Sequence, residues 1–356
     1  MESGFVDELR CVRCAGHVTL CHSQSTATMD SGSSSILEGV LICSQCSRGY
    51  LVREGIPHMC TPSRAEAEQI ARISGSLARV DDPDLTVEHR LGYNAWYEGL
   101  GDLKDHDALD RTKSNVELTR LSTEKQIESI LRGMPRSAGV RILDHGCGFG
   151  FDLDLYTKQR SDARLFGFDV SFHMLRNISK RGVRARVALA FAEALPFPDE
   201  FFDFVASHEV LEHVPNPKMA FQEMARVLKP GGRAVITTPN GNSAYQRLLE
   251  PLDHRYQKMK RKSGPTQEVD LYDVAIPRRK FTQLAREVGL EIDRWEYTCP
   301  LYLTLTRLTP KLRATSEAMA RLATMGVARL YEVVPRLPGI RSIVCEQVSV
   351  FVRKPE

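Results

Sequence analysis

The stretch that decides the fold is VRILDHGCGFGFDL, residues 140–153. Its apolar start predicts a short buried strand, and the glycines at 146, 148 and 150 predict a turn that opens a helix. A strand, a glycine turn and a helix together expose backbone N–H groups to a ligand. A dinucleotide site needs G-x-G-x-x-G, and Phe151 stands where the last glycine would be. The pattern therefore favours a ligand without a phosphate chain.

Further strands and helices alternate on the carboxyl side of this turn. The strand ARLFGFDV carries Asp169, placed where an acid accepts hydrogen bonds from ribose hydroxyls. After it come the strand FDFVAS, the helix MAFQEMARVLKP, a turn at Gly231 and Gly232, and the strand RAVITT. This alternation predicts an α/β fold with a doubly wound sheet.

Four motifs stand in one order: ILDHGCGFG, the acid Asp169, ALPFPDEFFDFV and RVLKPGGRAVITTPN. Over about 140–300 the sequence resembles class I S-adenosylmethionine-dependent methyltransferases of type 11, which include ubiquinone-pathway O-methyltransferases. The resemblance implies an enzyme with a seven-stranded Rossmann-like sheet. Phe191 departs from the family, which has an acid there, and puts an apolar contact beside the adenine. The cofactor-binding residues that the resemblance implies are Asp144, Gly146, Gly148, Gly150, Asp169, Ala192 and Glu193.

Six of the nine cysteines lie within the first 60 residues. Two C-x2-C pairs, Cys11 with Cys14 and Cys43 with Cys46, supply the four thiolates of a closed, structural zinc site. The spacing between the pairs is long, and Ser23–Ser35 is predicted to be a loop that absorbs the excess. This region resembles the zinc-ribbon activator of tRNA and protein methyltransferases. A ribbon that has lost its metal is the alternative.

Composition limits the function classes. The 48 basic and 45 acidic residues leave a net charge of +3, which excludes a uniformly basic nucleic-acid coat. We find no apolar run of membrane-spanning length and no secretory signal in MESGFVDELR, so the sequence predicts a cytoplasmic protein.

The predicted organisation has three parts. They are a zinc ribbon at 1–62, a helical linker and lid at 63–134, and a methyltransferase domain at 135–356 with insertions at about 241–276 and 300–341. Ser63 is a candidate N-cap for a helix through AEAEQIARI, and a second helix is predicted at 113–132. The aromatic run YNAWY at 93–97 is either core filling or part of a lid over a ring-containing ligand.

The segment after FDFVAS supplies the candidate chemistry. Glu209, Glu212 and His213 have E-x-x-E-H spacing, which would place them on one face of a helix. Two family branches hold a divalent metal this way, which suggests Mg²⁺ with His254 as a fourth ligand. Alternatively, a histidine acts as base without metal, or the segment only braces a loop. The candidate catalytic residues are His213, His208 and Glu209.

The two insertions bear on the substrate. Five basic residues between 255 and 262 form either a solvated helix or a phosphate contact. The Leu, Met, Val and Arg pattern of 300–341 predicts an amphipathic helix for core packing, a pocket cover or peripheral membrane contact.

The sequence therefore favours a methyltransferase that O-methylates a small or carrier-linked hydroxylated metabolite. RNA methylation is the first alternative, but no RNA-binding signature accompanies the weak net charge. A non-catalytic partner protein is the second alternative, and the intact glycine turn argues against it.

Overall fold

The computed structural model describes residues 1–28, 34–79, 85–98, 116–249, 274–301, 329–330 and 332–356. Within these ranges two compact units form. The first comprises Met1–Asp102, Arg136–Val205 and Lys218–Gly232, and the second Leu103–Pro135, Ala206–Pro217 and Arg233–Glu356. No helix in the described ranges is long and apolar enough to cross a membrane. The three-part domain organisation stays a prediction.

The amino-terminal sheet is antiparallel, in the order β1-β2-β3-β4. After the short helix α1 (Ser3–Val6), its strands are β1 (Val18–Thr28), β2 (Ser34–Cys43), β3 (Gly49–Arg53) and β4 (Ile56–Pro57). The prediction of a loop over Ser23–Ser35 was wrong, because β1 continues to Thr28 and β2 starts at Ser34. Pairings such as Thr26 with Ile36 show that the Ser/Thr stretch joins the strand ladder, where β-branched threonine fits well.

Three helices follow the ribbon, and two of them confirm predictions. Helix α2 (Arg64–Ser74) begins with a capping box in which Ser63 and Glu66 each accept the other's backbone N–H. Helix α3 (Leu85–Glu98) comes next, and α4 (Val116–Gly133) matches the predicted second helix.

The main sheet confirms the predicted α/β architecture, with seven strands among the described residues in the order β10-β11-β9-β8-β5-β6-β7. Strands β5, β6 and β7 pair in parallel, and β11 runs antiparallel to both β9 and β10. The strands are β5 (Arg141–His145), β6 (Arg164–Asp169), β7 (Arg186–Leu189), β8 (Phe202–His208), β9 (Leu228–Pro239), β10 (Glu291–Pro300) and β11 (Cys345–Arg353). The accompanying helices are α5 (Phe151–Gln159), α6 (Phe172–Lys180), α7 (Pro217–Val227), α8 (Arg278–Glu287) and α9 (Arg341–Val344).

One boundary differs from the predicted one. Helix α7 ends at Val227 and β9 begins at Leu228, so the two glycines of the predicted turn lie inside the strand. Gly231 takes a φ of 72° there, and pairing with β11 starts only at Arg233. The glycines thus bend the start of the strand.

Within the first unit, the ribbon packs directly on the main sheet. The backbone N–H of Met59 donates to the Leu189 carbonyl of β7 at 2.7 Å, and Arg10 N–H donates to the Pro196 carbonyl at 3.0 Å. Phe5 packs its ring against Phe166, which is fully buried in β6. These contacts join the ribbon to β6 and β7 within the first unit.

Candidate functional site

The four predicted zinc-ligating cysteines come together. Both knuckles have the same backbone geometry, since Ala15 N–H donates to the Cys11 carbonyl and Ser47 N–H to the Cys43 carbonyl. Ala15 and Ser47 both take left-handed φ angles, 57° and 56°. This shared turn directs the sulfur atoms of the two pairs toward one point.

The sulfur spacing fits a tetrahedral metal ion. All four Sγ atoms lie within 4.8 Å of one another, with Cys11 to Cys46 at 3.6 Å and Cys14 to Cys43 at 3.5 Å. A zinc–sulfur bond of about 2.3 Å implies sulfur separations of about 3.8 Å in a tetrahedron. Cys21 and Cys60 lie outside the set, as expected. Four thiolates leave no open coordination position, so such a site would stabilise the ribbon.

The glycine turn after β5 has the backbone that the sequence predicted. Gly146, Gly148 and Gly150 take φ angles of 75°, 50° and 71°, which side-chain-bearing residues rarely adopt. A Cβ atom at Gly150 would lie 2.6 Å from the Ile178 side chain. Since Gly150 directly precedes α5, the turn sets the start of that helix and leaves its first backbone N–H groups exposed to a ligand.

Asp169, at the end of β6, is bonded to the glycine turn. Its Oδ2 accepts the Gly148 N–H at 2.9 Å and its Oδ1 accepts the Ser171 N–H at 2.9 Å. Burial raises the pKa of this carboxyl to about 6. Each carboxylate oxygen has a second acceptor position, so Asp169 can also receive ribose hydroxyls.

Asp144 has an unusual environment for an acid. It is 2% exposed, and its Oδ2 has no hydrogen-bond partner. Burial, together with the charges of Asp152 and Asp169, raises its pKa well above the ordinary range. A cation placed in the glycine turn would pair with this carboxyl and relieve the repulsion among the acids. S-adenosylmethionine carries a sulfonium and an ammonium group, so these residues fit it.

Ala192 and Glu193 lie in the turn after β7. Ala192 is buried, and the backbone of the turn closes through an Ala194 N–H bond to the Phe191 carbonyl at 3.1 Å. The assignment of both residues to the adenine stays a prediction.

The predicted helical face at 209–213 does not form. Glu209 takes a φ of 54°, and only Leu211–His213 makes a short 3₁₀ turn. The Glu209 N–H donates to the Thr237 carbonyl of β9 at 3.0 Å, which continues strand-like bonding past the end of β8. This tertiary bond overrides the helical spacing.

Two glutamines, missed by the sequence reasoning, organise this segment. Gln126 of α4 donates its amide N–H to Glu209 at 2.9 Å, and its carbonyl lies 2.9 Å from Nε2 of His208. Gln347 of β11 donates to the other Glu209 oxygen at 3.1 Å. Burial and the neighbouring Glu212 raise the pKa of Glu209 to about 8. The sequence offers one signal for Gln126: its polar side chain lies on the apolar stripe of α4, beside Ile127 and Ile130, where a buried amide needs polar partners.

Glu212 is not available to a metal in this arrangement. It is 2% exposed and accepts the Thr238 hydroxyl at 3.1 Å. In the described part of the chain, the four cysteines are the only group of potential ligands close enough to share a metal ion. Glu209, Glu212 and His213 are thus not grouped closely enough to share an ion in the described part of the chain, and His254 lies outside it, so the Mg²⁺ site stays a prediction.

Three other predictions, on the basic cluster, the 300–341 insertion and the YNAWY run, fall wholly or partly outside the described residues. The basic cluster at 255–262 and most of 300–341 lie outside the described residues. The backbone of the YNAWY run forms part of α3, but the side chains of Tyr93, Trp96 and Tyr97 are not described.

Comparison with known proteins agrees with the geometry of the turn. Residues 143–236 match the family model of a methyltransferase domain. The chain is 32% identical to methyltransferase GfsG of Streptomyces halstedii, over 35% of this chain and 46% of that protein. It is 30% identical to 27-O-demethylrifamycin SV methyltransferase of Amycolatopsis mediterranei, over 41% of this chain and 56% of that protein. It is 29% identical to a ubiquinone biosynthesis O-methyltransferase of Cupriavidus pinatubonensis, over 45% of this chain and 64% of that protein.

Residues 143–236 thus match a methyltransferase domain, as the motifs indicated. The aligned regions span less than two thirds of each of these relatives. The match covers the β5–β9 region, including the glycine turn, Asp169 and the segment from His208 to His213.

Proposed function

We propose that this protein is an S-adenosylmethionine-dependent O-methyltransferase acting on a small or carrier-linked hydroxylated metabolite. The observation that carries the cofactor assignment is Asp144, a buried acid with an unpartnered oxygen beside a glycine turn. When bound, S-adenosylmethionine supplies a methyl group on a positively charged sulfur. Asp144 would pair with the positive charge of the methionine end, and Asp169 would hold the ribose hydroxyls.

The acceptor hydroxyl has to lose its proton, and His208 is the proposed base. Gln126 donates through its N–H₂ group to Glu209, so its carbonyl faces Nε2 of His208 and accepts that N–H. This bond fixes the ring proton on Nε2, so the lone pair of the neutral imidazole lies on Nδ1, where it can accept a proton. Glu209 would orient Gln126, and His213 stays a second candidate for the proton.

The O-methyl assignment draws on the relatives. Two of those described above carry an O-methyl acceptor or an O-methyltransferase activity in their names. Another relative, 35% identical over 32% of this chain, is a malonyl-[acyl-carrier protein] O-methyltransferase of Herminiimonas arsenicoxydans, which supports including carrier-linked substrates. Zinc in the four-cysteine set is proposed as a structural ion without a part in the reaction.

Calorimetry with the full chain tests the cofactor assignment. We expect S-adenosylmethionine to bind, and Asp144→Asn and Asp169→Asn each to weaken binding by about tenfold or more, as for loss of a charge-assisted contact. Asp154→Asn is the matched control, since this acid lies half-exposed on α5 and pairs with Lys158. Uptake of a nicotinamide or flavin compound in place of S-adenosylmethionine would refute the proposal.

Transfer of a labelled methyl group to a panel of hydroxylated small molecules and carrier-linked hydroxy acids tests the base. We expect His208→Ala to lower kcat by about 100-fold, the lower range for loss of a general base, while the Kd of the cofactor stays unchanged. Gln126→Ala should also lower kcat, because without the Gln126 carbonyl the His208 imidazole can change tautomer. A larger loss in His213→Ala than in His208→Ala would reassign the base.

A further inference from the structure

The start of helix α6 is the structural support of Asp169. Only Val170 and Ser171 separate this acid from Phe172, the first residue of α6. Ser171 is fully buried, its N–H bonds to Asp169, and its hydroxyl accepts the Met174 N–H at 3.4 Å. Any movement of the first turn of α6 would therefore move the carboxylate assigned to the ribose.

A residue from a different helix completes the cap of α6. Oδ1 of Asn94, on α3, accepts the backbone N–H of His173 at 2.9 Å and lies 3.4 Å from the Ser171 hydroxyl. The other end of the Asn94 amide donates to Glu98 at 2.7 Å, which fixes Oδ1 toward α6. The first N–H groups of a helix have no partner within it, so Asn94 supplies in trans what a capping residue normally supplies.

The same face of α3 is tied to the ribbon side of the unit. Arg90 lies one turn before Asn94, and its two terminal nitrogens donate to Glu66 of α2 at 2.7 and 3.3 Å. Glu66 also accepts a bond from His58 at 2.9 Å. The side chains of Arg90 and His58 are only 5% and 4% exposed. A buried charge pair with this many bonds is costly to break, so it fixes the position of α3.

The ribbon end of this chain of contacts also reaches α6. His58 packs against the ring of Phe172 at 4.8 Å between centroids, and the guanidinium carbon of Arg53 lies over the same ring, 5.2 Å from its centroid. Glu54 pairs with Arg176 one turn further along α6, at 2.7 Å. The first two turns of α6 are thus held both by ribbon side chains and by Asn94.

We propose that Asn94 is a positioning residue for cofactor binding, held in place by the Glu66–Arg90 pair and acting through the start of α6 on Asp169. The inference rests on the proposed function only in taking S-adenosylmethionine as the ligand of Asp169. The affinity for the cofactor then depends on a helix and a ribbon that need not touch it.

Two measurements on the full chain test the proposal. Asn94→Ala should weaken cofactor binding about fivefold, the effect of losing one typical helix cap, and raise KM for the cofactor with little change in kcat. The double variant Asn94→Asp with Glu98→Gln should restore affinity, because the new carboxylate still accepts the His173 N–H at a helix N-terminus and no longer faces the Glu98 carboxylate. Leu91→Ala is the matched control, since Leu91 is 47% exposed on the same helix.

Hydrogen exchange gives a readout that needs no cofactor. The amides at 171–175 should lose protection in Asn94→Ala and keep it in Leu91→Ala and in the double variant Asn94→Asp with Glu98→Gln. Unchanged protection, or an affinity within twofold of the wild type, would overturn the proposal. A wild type that binds no S-adenosylmethionine would instead refute the proposed function, with the exchange result still readable.

A double-mutant cycle tests the role of Glu66. Because Glu66 is proposed to act through α3, Glu66→Gln and Asn94→Ala together should weaken cofactor binding no more than the stronger single change. Effects that multiply would show that Glu66 and Asn94 act separately, and would overturn the proposed link between them.

Discussion

Glu209 is the residue whose environment departs furthest from what its sequence position suggests. It directly follows β8, takes a left-handed φ of 54°, and receives an amide N–H on each carboxylate oxygen. Burial and the nearby Glu212 still raise its pKa to about 8. The carboxyl is therefore largely protonated at neutral pH in the folded chain and ionised in the unfolded chain.

This difference predicts a pH-dependent stability. In wild type, the folded state binds one more proton at Glu209 than the unfolded state between about pH 4.5 and 8, so raising the pH favours unfolding. The stabilisation is complete below pH 4.5 and lost above pH 8. Relative to Glu209→Gln, the wild-type free energy of unfolding should fall by at most about 1.4 kcal/mol per pH unit.

Denaturant unfolding of both proteins at several pH values measures this difference. Glu200→Gln, at an exposed position, serves as the control. A wild-type-minus-variant difference that does not change between pH 5 and 8 would contradict the raised pKa.

At the scale of elements, the turn between β5 and α5 restricts both backbone conformation and side-chain size. Gly150 combines a φ of 71° with a Cβ position 2.6 Å from Ile178. Gly182 has a similar φ of 67° but has no atom within 4 Å of its Cβ position. Comparing substitutions at Gly150 and Gly182 therefore separates the cost of backbone strain from the cost of side-chain crowding.

We expect Gly182→Ala to lower the free energy of unfolding by about 1 kcal/mol, from the left-handed backbone alone. Gly150→Ala should cost about 1–3 kcal/mol more, because Ile178 and α6 must shift. Denaturant unfolding followed by circular dichroism measures both. Equal decreases in the free energy of unfolding would show that Ile178 can move aside without destabilising the protein.

Sequence reasoning succeeded for elements whose signal is local. The apolar run 140–143, the glycines after it and the N-cap at Ser63 all act within a few residues, and each was predicted. The segment 209–213 was assigned wrongly, because the Glu209 N–H bonds to Thr237, far along the chain. The β1–β2 hairpin was assigned to a loop for the same reason, since its ladder forms across the sheet. Gln126 was missed because its partners lie 82 and 83 positions away.

At the scale of the molecule, the four-cysteine set predicts how the ribbon depends on metal. Cys14→Ser should abolish stoichiometric zinc and lower the melting temperature, because metal binding of this kind is coupled to folding. Cys21→Ser should retain zinc, since Cys21 lies outside the set. Elemental analysis and thermal unfolding of the purified chains measure both properties. Full zinc content in Cys14→Ser would contradict the assigned ligands.

The position of the ribbon against the main sheet could not be predicted from the sequence. The spacing of the cysteines predicted a ribbon, and the motifs predicted a sheet, but neither indicates that Met59 bonds to Leu189. That contact depends on which strand lies at the edge of the sheet, which follows from the completed strand order rather than from any local pattern.

The bond between Met59 and Leu189 has a consequence for solubility. Strand β7 ends the order of the main sheet, and the unpaired backbone groups of such a strand can recruit a strand from another chain. The residues around Met59 occupy part of this border. Removing residues 1–62 would leave this edge bare, and we expect the truncated chain to associate with other chains more readily.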